Sequence, residues 1–257
     1  MLLSTFASRL VRCAVATLIL LVAQPVTAQV GANFAANLAN CTEVIAFGPI
    51  PLANVWQLVP KAFTITLFGP STAGLVVRAS ECNLSFGAAP ATPVLVAQIG
   101  VSIASPDGTG QINNYSLLYE TNSLLLWGAL KNVGWPALYD PRLAYEFTPG
   151  TTGSGNVYIA VSPPDGPYFL EGDASPPPGP PAPVVANWWV ASNGAHVKLS
   201  TSIPAPGIAY GPATTTLFTS KSTNLGALIG GNSDANFSLL NARGVFAYAT
   251  LTVSSQR

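Results

Sequence analysis

The sequence predicts a mainly β fold, a barrel or sandwich of many short strands with a few short helices outside it. Three observations carry that expectation. Short β-branched runs recur along the chain, turn clusters such as SPDGTG, PGTTGSG and SPPDGP separate them, and 23 prolines and 23 glycines leave little room for long helices. In order, the strand-like runs are GLVVRAS (74–80), PVLVAQIGVSI (93–103), NYSLLYE (114–120), LAYEF (143–147), NVYIAV (156–161), NWWVAS (187–192), AHVKLS (195–200) and GVFAYATLTV (244–253). On the NWWVAS strand Trp188 and Trp189 must face opposite sides, which suits one to the core and the other to a pocket wall.

Two helices fit between these runs. Asn122 or Ser123 is placed to cap LLLWGALKNV, which stops at Gly134 and Pro136 with Lys131 in its last turn, where a cation suits the helix dipole. A second, shorter helix is expected after Ser222, through TNLGALIG. The stretch SPPPGPPAP (175–183) has few backbone donors and reads as a stiff polyproline surface loop within one domain.

The first 28 residues read as a secretory signal. Arg9 and Arg12 flank an apolar run of 11 residues, 13–23, and Val26, Thr27 and Ala28 offer a cleavage site, so a mature chain is expected from Gln29 as one domain, 29–257. That run is short for a bilayer span of about 20 residues, and later apolar runs are all interrupted, so a secreted or periplasmic protein without a membrane anchor is expected. Without the leader, 8 basic side chains stand against 10 acidic ones. Such a balance excludes a nucleic-acid partner, since no basic patch exists to displace counterions. Recognition should rest on shape and apolar contact.

Cys41 and Cys82 are the cysteines of the mature chain, and in an exported protein the default reading is one disulfide. Closing a loop of about 40 residues would stabilise the fold by about 4 kcal/mol in the chain-entropy account. With one histidine and no clustered carboxylates, neither a metal site nor a cofactor motif is expected. Asn40, Asn83, Asn114 and Asn236 begin glycosylation sequons, which matter only in a eukaryotic source.

Charged residues are 8% of the chain, so the candidates for chemistry are few. In GLVVRASEC, Arg78 and Glu81 lie three apart and point to opposite faces of a strand. Arg78 inside a barrel would hold a substrate carboxylate in a bidentate grip; otherwise it is an ion-paired or edge-strand cation. Glu120 and Glu146 are comparable acid–base candidates. His196 on its strand lacks the flanking motif of a catalytic base.

The succession LVPKAF (58–63), GLVVRASEC, NNYSLLYETN, a helix and GWPALYDPRLAYEF (134–147) resembles the acetoacetate decarboxylase-like superfamily. The resemblance implies a closed, cone-like antiparallel β-barrel with helices outside and an apolar interior pocket, to whose ligand-binding wall Arg78, Tyr115, Trp135 and Ala137 would contribute. Possible assembly into a homo-oligomer also goes with the family. Its chemistry uses an unprotonated lysine as an electron sink, kept neutral by burial and a neighbouring cation. The motif places that lysine after the proline of G-[FYW]-P-K, where this chain has Ala137, and the preceding helix has Leu130 and Lys131 in place of an Arg-Glu pair. A relocated nucleophile at Lys131 is the alternative to a solvated helix-end cation. The leading expectation is an exported protein that binds a small apolar molecule or organic acid, such as a keto acid, in a barrel cavity without Schiff-base decarboxylation. The alternatives are a lyase, hydratase or cyclase using Arg78, Glu81, Glu120 or Tyr115, and a surface structural or adhesion module.

Overall fold

A computed structural model describes residues 34–256; the expected leader and its cleavage site lie outside the described residues. The chain runs through β1 (Phe34–Pro51), a single 3-10 turn (Leu52–Asn54), β2 (Leu67–Gly69), β3 (Thr72–Ser85), β4 (Thr92–Ser102) and β5 (Ile112–Thr121) to helix α1 (Leu124–Asn132). It continues through β6 (Leu138–Tyr139), β7 (Ala144–Pro149), β8 (Gly155–Val161) and β9 (Tyr168–Ala174) to the long strands β10 (Ala182–Ser192) and β11 (Ala195–Pro212). Then come β12 (Thr216–Thr219), helix α2 (Asn224–Leu228), β13 (Asp234–Asn236) and β14 (Leu240–Gln256).

Seven of these strands close into a barrel in the order β1-β14-β11-β10-β5-β4-β3, and β3 pairs back onto β1. The closed antiparallel barrel expected from the sequence is present, with one parallel seam, where β5 and β10 pair. Between them the chain makes α1 and three strands of another sheet before returning, and a long crossover of this kind is what parallel pairing requires. That other sheet has five strands, β13-β12-β9-β8-β7, and covers one side of the barrel. The runs LAYEF and NVYIAV belong to it, as β7 and β8.

The strand period divides the barrel wall between two cores. On β3, Val76, Cys82 and Leu84 join residues from all seven barrel strands in the lumen core, while Leu75, Val77 and Ala79 pack outward against the five-stranded sheet. Burial on both faces explains why GLVVRAS reads as a continuous apolar run rather than an alternating one. Trp188 fills the lumen and Trp189 the outer core, so both are core residues. The indole N–H of Trp189 donates to Asn113 Oδ1 at 3.0 Å.

Strand β1 slips register against β3 between Ala39 and Thr42, where Asn40 takes φ 52°. Asparagine tolerates this left-handed conformation better than most residues do. Cys41 at this bulge forms the expected disulfide with Cys82 and ties β1 to β3. Helix α1 starts where expected: the Ser123 hydroxyl accepts from the Leu126 N–H at 3.2 Å. It ends through Gly134 at φ 80°, whose N–H donates to Lys131 O at 3.0 Å. Leu126 and Leu130 of α1 pack into the lumen core. Thr223 caps α2 by accepting from Gly226 N–H at 2.9 Å, and the polyproline stretch connects β9 to β10.

Candidate functional site

A cavity of about 710 Å³ forms a cleft on the outer side of the barrel wall, between it and the five-stranded sheet. This is within the range of about 300–1,000 Å³ typical of small-molecule sites. Ile99 of β4 with Leu117 and Leu118 of β5 form its barrel side, and Leu225 and Leu228 of α2 close it from across. Two adjacent leucines of one strand face the cleft because the β4–β5 register shifts at Ile99/Gly100, leaving Leu117 as an extra residue between paired Ser116 and Leu118. Asn54 stitches the rim, donating from Nδ2 to Leu228 O at 3.1 Å.

Glu120 sits behind this apolar lining. It lies two residues beyond Leu118 on the same face of β5 and pairs with Leu138, and both neighbours line the cleft. Its residue is only 1% exposed, and neither carboxylate oxygen has a hydrogen-bond partner among the described residues. Burial pushes its pKa from 4.5 up to about 7; Asp140 and Asp165 add to the rise and Arg142 opposes it. Tyr168 of β9 lines the cleft, and its hydroxyl is likewise buried without a partner. Burial, then Glu120 and Asp140, hold that phenol well above its ordinary pKa. The neighbouring acids, by contrast, are engaged. Asp140 accepts from the N–H of Arg142 at 2.9 Å and of Ser162 at 3.0 Å, and Asp165, at the cleft's edge, accepts from Asn224 N–H at 3.0 Å.

A second polar cluster occupies the lumen. Arg78 donates from Nε to Glu43 Oε2 at 2.7 Å and from Nη1 to Gln98 Oε1 at 2.6 Å, and its Nη2 stands 2.6 Å from Glu43 Oε2. Tyr210 donates to Glu43 Oε1 at 2.8 Å. Arg78 thus holds a carboxylate as its residue type suggests, and that carboxylate is the protein's own Glu43. The voids beside it measure only about 20 and 10 Å³, too small for a substrate. Toward one end the lumen opens into a pocket of about 440 Å³ walled in part by Phe47, Phe68 and Leu240, which shares Ile45, Ile112 and Asn114 with the larger void.

The other candidates lie apart from the cleft. Glu81, Glu146 and Lys131 are exposed. Tyr115 faces the outer core and packs on Phe63 at 5.1 Å between ring centroids. Trp135 and Ala137 are buried in the lumen core, Trp135 edge-on to Tyr119 at 6.1 Å. None of Arg78, Tyr115, Trp135 and Ala137 lines the cleft, whereas Leu138, next to Ala137, does. His196 packs on Phe63 in a tilted arrangement with ring centroids 4.7 Å apart, and Lys198 is paired with Asp107 at 2.6 Å. Among the described residues no lysine lines the cleft, the lumen voids or the lumen mouth. Sequence reasoning found Glu120 but missed Tyr168, Asp165 and Glu43. The period of β1, followed through its bulge at Asn40, would have placed Glu43 beside Arg78.

This architecture of closed barrel and covering sheet occurs in solved structures. One, from structural studies of acetoacetate decarboxylase, superposes with a TM-score of 0.54 over 91% of this chain and 93% of its own, at 8% identity. The chain has the acetoacetate decarboxylase-like fold. The acetoacetate decarboxylase of Legionella pneumophila matches it with a TM-score of 0.53 over 86% of each chain at 8% identity. An acetoacetate decarboxylase-like enzyme from Sphingomonas wittichii gives 0.50 over 88% of this chain and 92% of its own, at 9% identity. At such identities the likeness concerns the fold. No protein-family model matches the chain, and no curated protein matches it in sequence. On this acetoacetate decarboxylase-like frame the chain fills the lumen centre with its own ion pair and leaves a space of about 710 Å³ outside the wall.

Proposed function

We propose that this is an exported protein that binds a small, largely apolar molecule in the cleft between barrel wall and outer sheet, without Schiff-base decarboxylation. The observation that carries the reading is the cleft itself: about 710 Å³, walled by leucine and isoleucine, with no lysine along it. The test uses Nile red, a neutral apolar dye. Its fluorescence should rise saturably with one site per chain, and Ala227→Trp, which adds an indole to the cleft lining on α2, should weaken the rise. Binding unchanged in Ala227→Trp overturns the reading. Borohydride treatment with a keto acid should leave the intact mass unaltered, and an adduct lost in Lys131→Ala would reinstate iminium chemistry.

A second reading, an enzyme of acid–base type, is favoured by one observation: Glu120 titrates close to neutrality beside the phenol of Tyr168. A turnover lost in both Glu120→Gln and Tyr168→Phe would select it over simple binding.

A further inference from the structure

We propose that the molecule held in the cleft carries a protonated amine on its apolar body, and that Glu120 receives that amine from behind the cleft's leucine lining. This deepens the binding reading above and rests on it.

The argument begins with sign. Asp165 is the one charged residue among those lining the cleft, and the charged groups coupled to Glu120 are Asp140, Asp165 and Arg142. Arg142 is exposed and turned to Asp140, with Nε 3.7 Å from Oδ1. A carboxylate ligand would therefore meet acids and find no cation in the wall. An ammonium group meets the same acids favourably.

Unmet hydrogen-bonding capacity points the same way. Asp140 and Asp165 spend oxygens on backbone N–H groups of Arg142, Ser162 and Asn224, whereas both oxygens of Glu120 have no donor. A buried acceptor without a donor is costly, and an ionised one more so. An ammonium brings three donors and the opposite charge. Leu118 and Leu138, which flank Glu120, present apolar surface on either side of the place where the donor must arrive. A bare metal ion does not suit the place, because among the described residues no three acidic, histidine or cysteine side chains are grouped to hold one.

Proton linkage follows from the geometry. A cation beside Glu120 favours its ionised form, so binding near neutral pH should release a proton from the protein. Tyr168, whose phenol also feels the charge of Glu120, stays protonated throughout this range.

The test compares three probes of one shape, 4-phenylbutylamine, 4-phenylbutan-1-ol and 4-phenylbutyrate, titrated calorimetrically into the protein at pH 8.5 and pH 5.5. At pH 8.5 the amine should bind at least ten-fold more tightly than the alcohol, and the carboxylate most weakly of the three. At pH 5.5, where Glu120 is protonated, the amine's advantage should shrink several-fold. Glu120→Gln should remove the amine's advantage at pH 8.5, read as the ratio of the amine's affinity to the alcohol's. An alcohol that binds as tightly as the amine, or an amine preference that survives Glu120→Gln, overturns this inference and leaves the binding reading standing. Failure of all three probes and of Nile red overturns both.

Discussion

Replacing Glu120 by glutamine should make the protein more stable at alkaline pH and not at acid pH. Glu120 titrates near 4.5 in an ordinary carboxylate environment and at about 7 in the folded chain. Below pH 4.5 folded and unfolded chains both hold the proton, so the group contributes nothing to pH dependence. Between those values the folded chain keeps a proton that the unfolded chain has lost, and stability falls as pH rises. Above pH 7 the whole penalty is present, and the gap corresponds to about 3 kcal/mol. Glutamine keeps the side-chain shape and cannot ionise. Urea unfolding of wild type and Glu120→Gln, followed by tryptophan fluorescence at pH 4 and pH 8.5, isolates the effect, because other titrating groups cancel between the two proteins. The difference between them should grow by about 3 kcal/mol in favour of Glu120→Gln on going from pH 4 to pH 8.5. A difference that does not change with pH would show that Glu120 is ionised freely in the folded chain, and the argument from its burial would fall.

Three further outcomes are expected. Arg78→Leu, which strands the buried Glu43 carboxylate, should cost about 3–5 kcal/mol in chemical denaturation, and pairing it with Glu43→Leu should recover most of that loss. Gly134→Ala, which puts a Cβ at φ 80° and within 2.8 Å of the Ser192 hydroxyl oxygen, should cost about 1 kcal/mol or more and lower the melting temperature. Replacing Cys41 and Cys82 together by alanine should cost about 4 kcal/mol in urea unfolding, with no change in Nile red binding, because the disulfide joins β1 to β3 away from the cleft.

Much of the wall was readable from local pattern. The runs at 74–80, 93–103 and 114–120 became β3, β4 and β5, and Ser123 and Gly134 bounded α1, because capping and β-branched runs act over a few residues. Strand β1 escaped notice, since FAANLANCTEVIAFGPIP mixes alanine and asparagine and its bulge at Asn40 exchanges inside for outside midway. The division of strands between barrel and covering sheet was equally hidden, because LAYEF and NVYIAV carry the same alternation whichever sheet they join. The cleft depends on that division. Its polar group was visible as Glu120, but its space arises from a one-residue register shift and from a five-residue helix that closes it, neither of which has a motif.

The two buried glutamates show why the cleft rather than the lumen centre is the place to look for a ligand. Glu43 is met by Arg78 and Tyr210, Arg78 is shared with Gln98, and the space around them is smaller than any organic molecule. Admitting a ligand there means breaking a buried ion pair before gaining a contact, a cost of several kcal/mol. Glu120 is in the opposite position: its desolvation is unrelieved by any partner among the described residues, and a wide apolar space lies beyond its neighbours Leu118 and Leu138. A donor that reaches Glu120 recovers energy that the fold has forgone, while one that reaches Arg78 must first undo an interaction the fold already has. Two carboxylates on opposite faces of one barrel wall thus differ in a physical respect: one is satisfied by its own chain, and the other has no partner among the described residues.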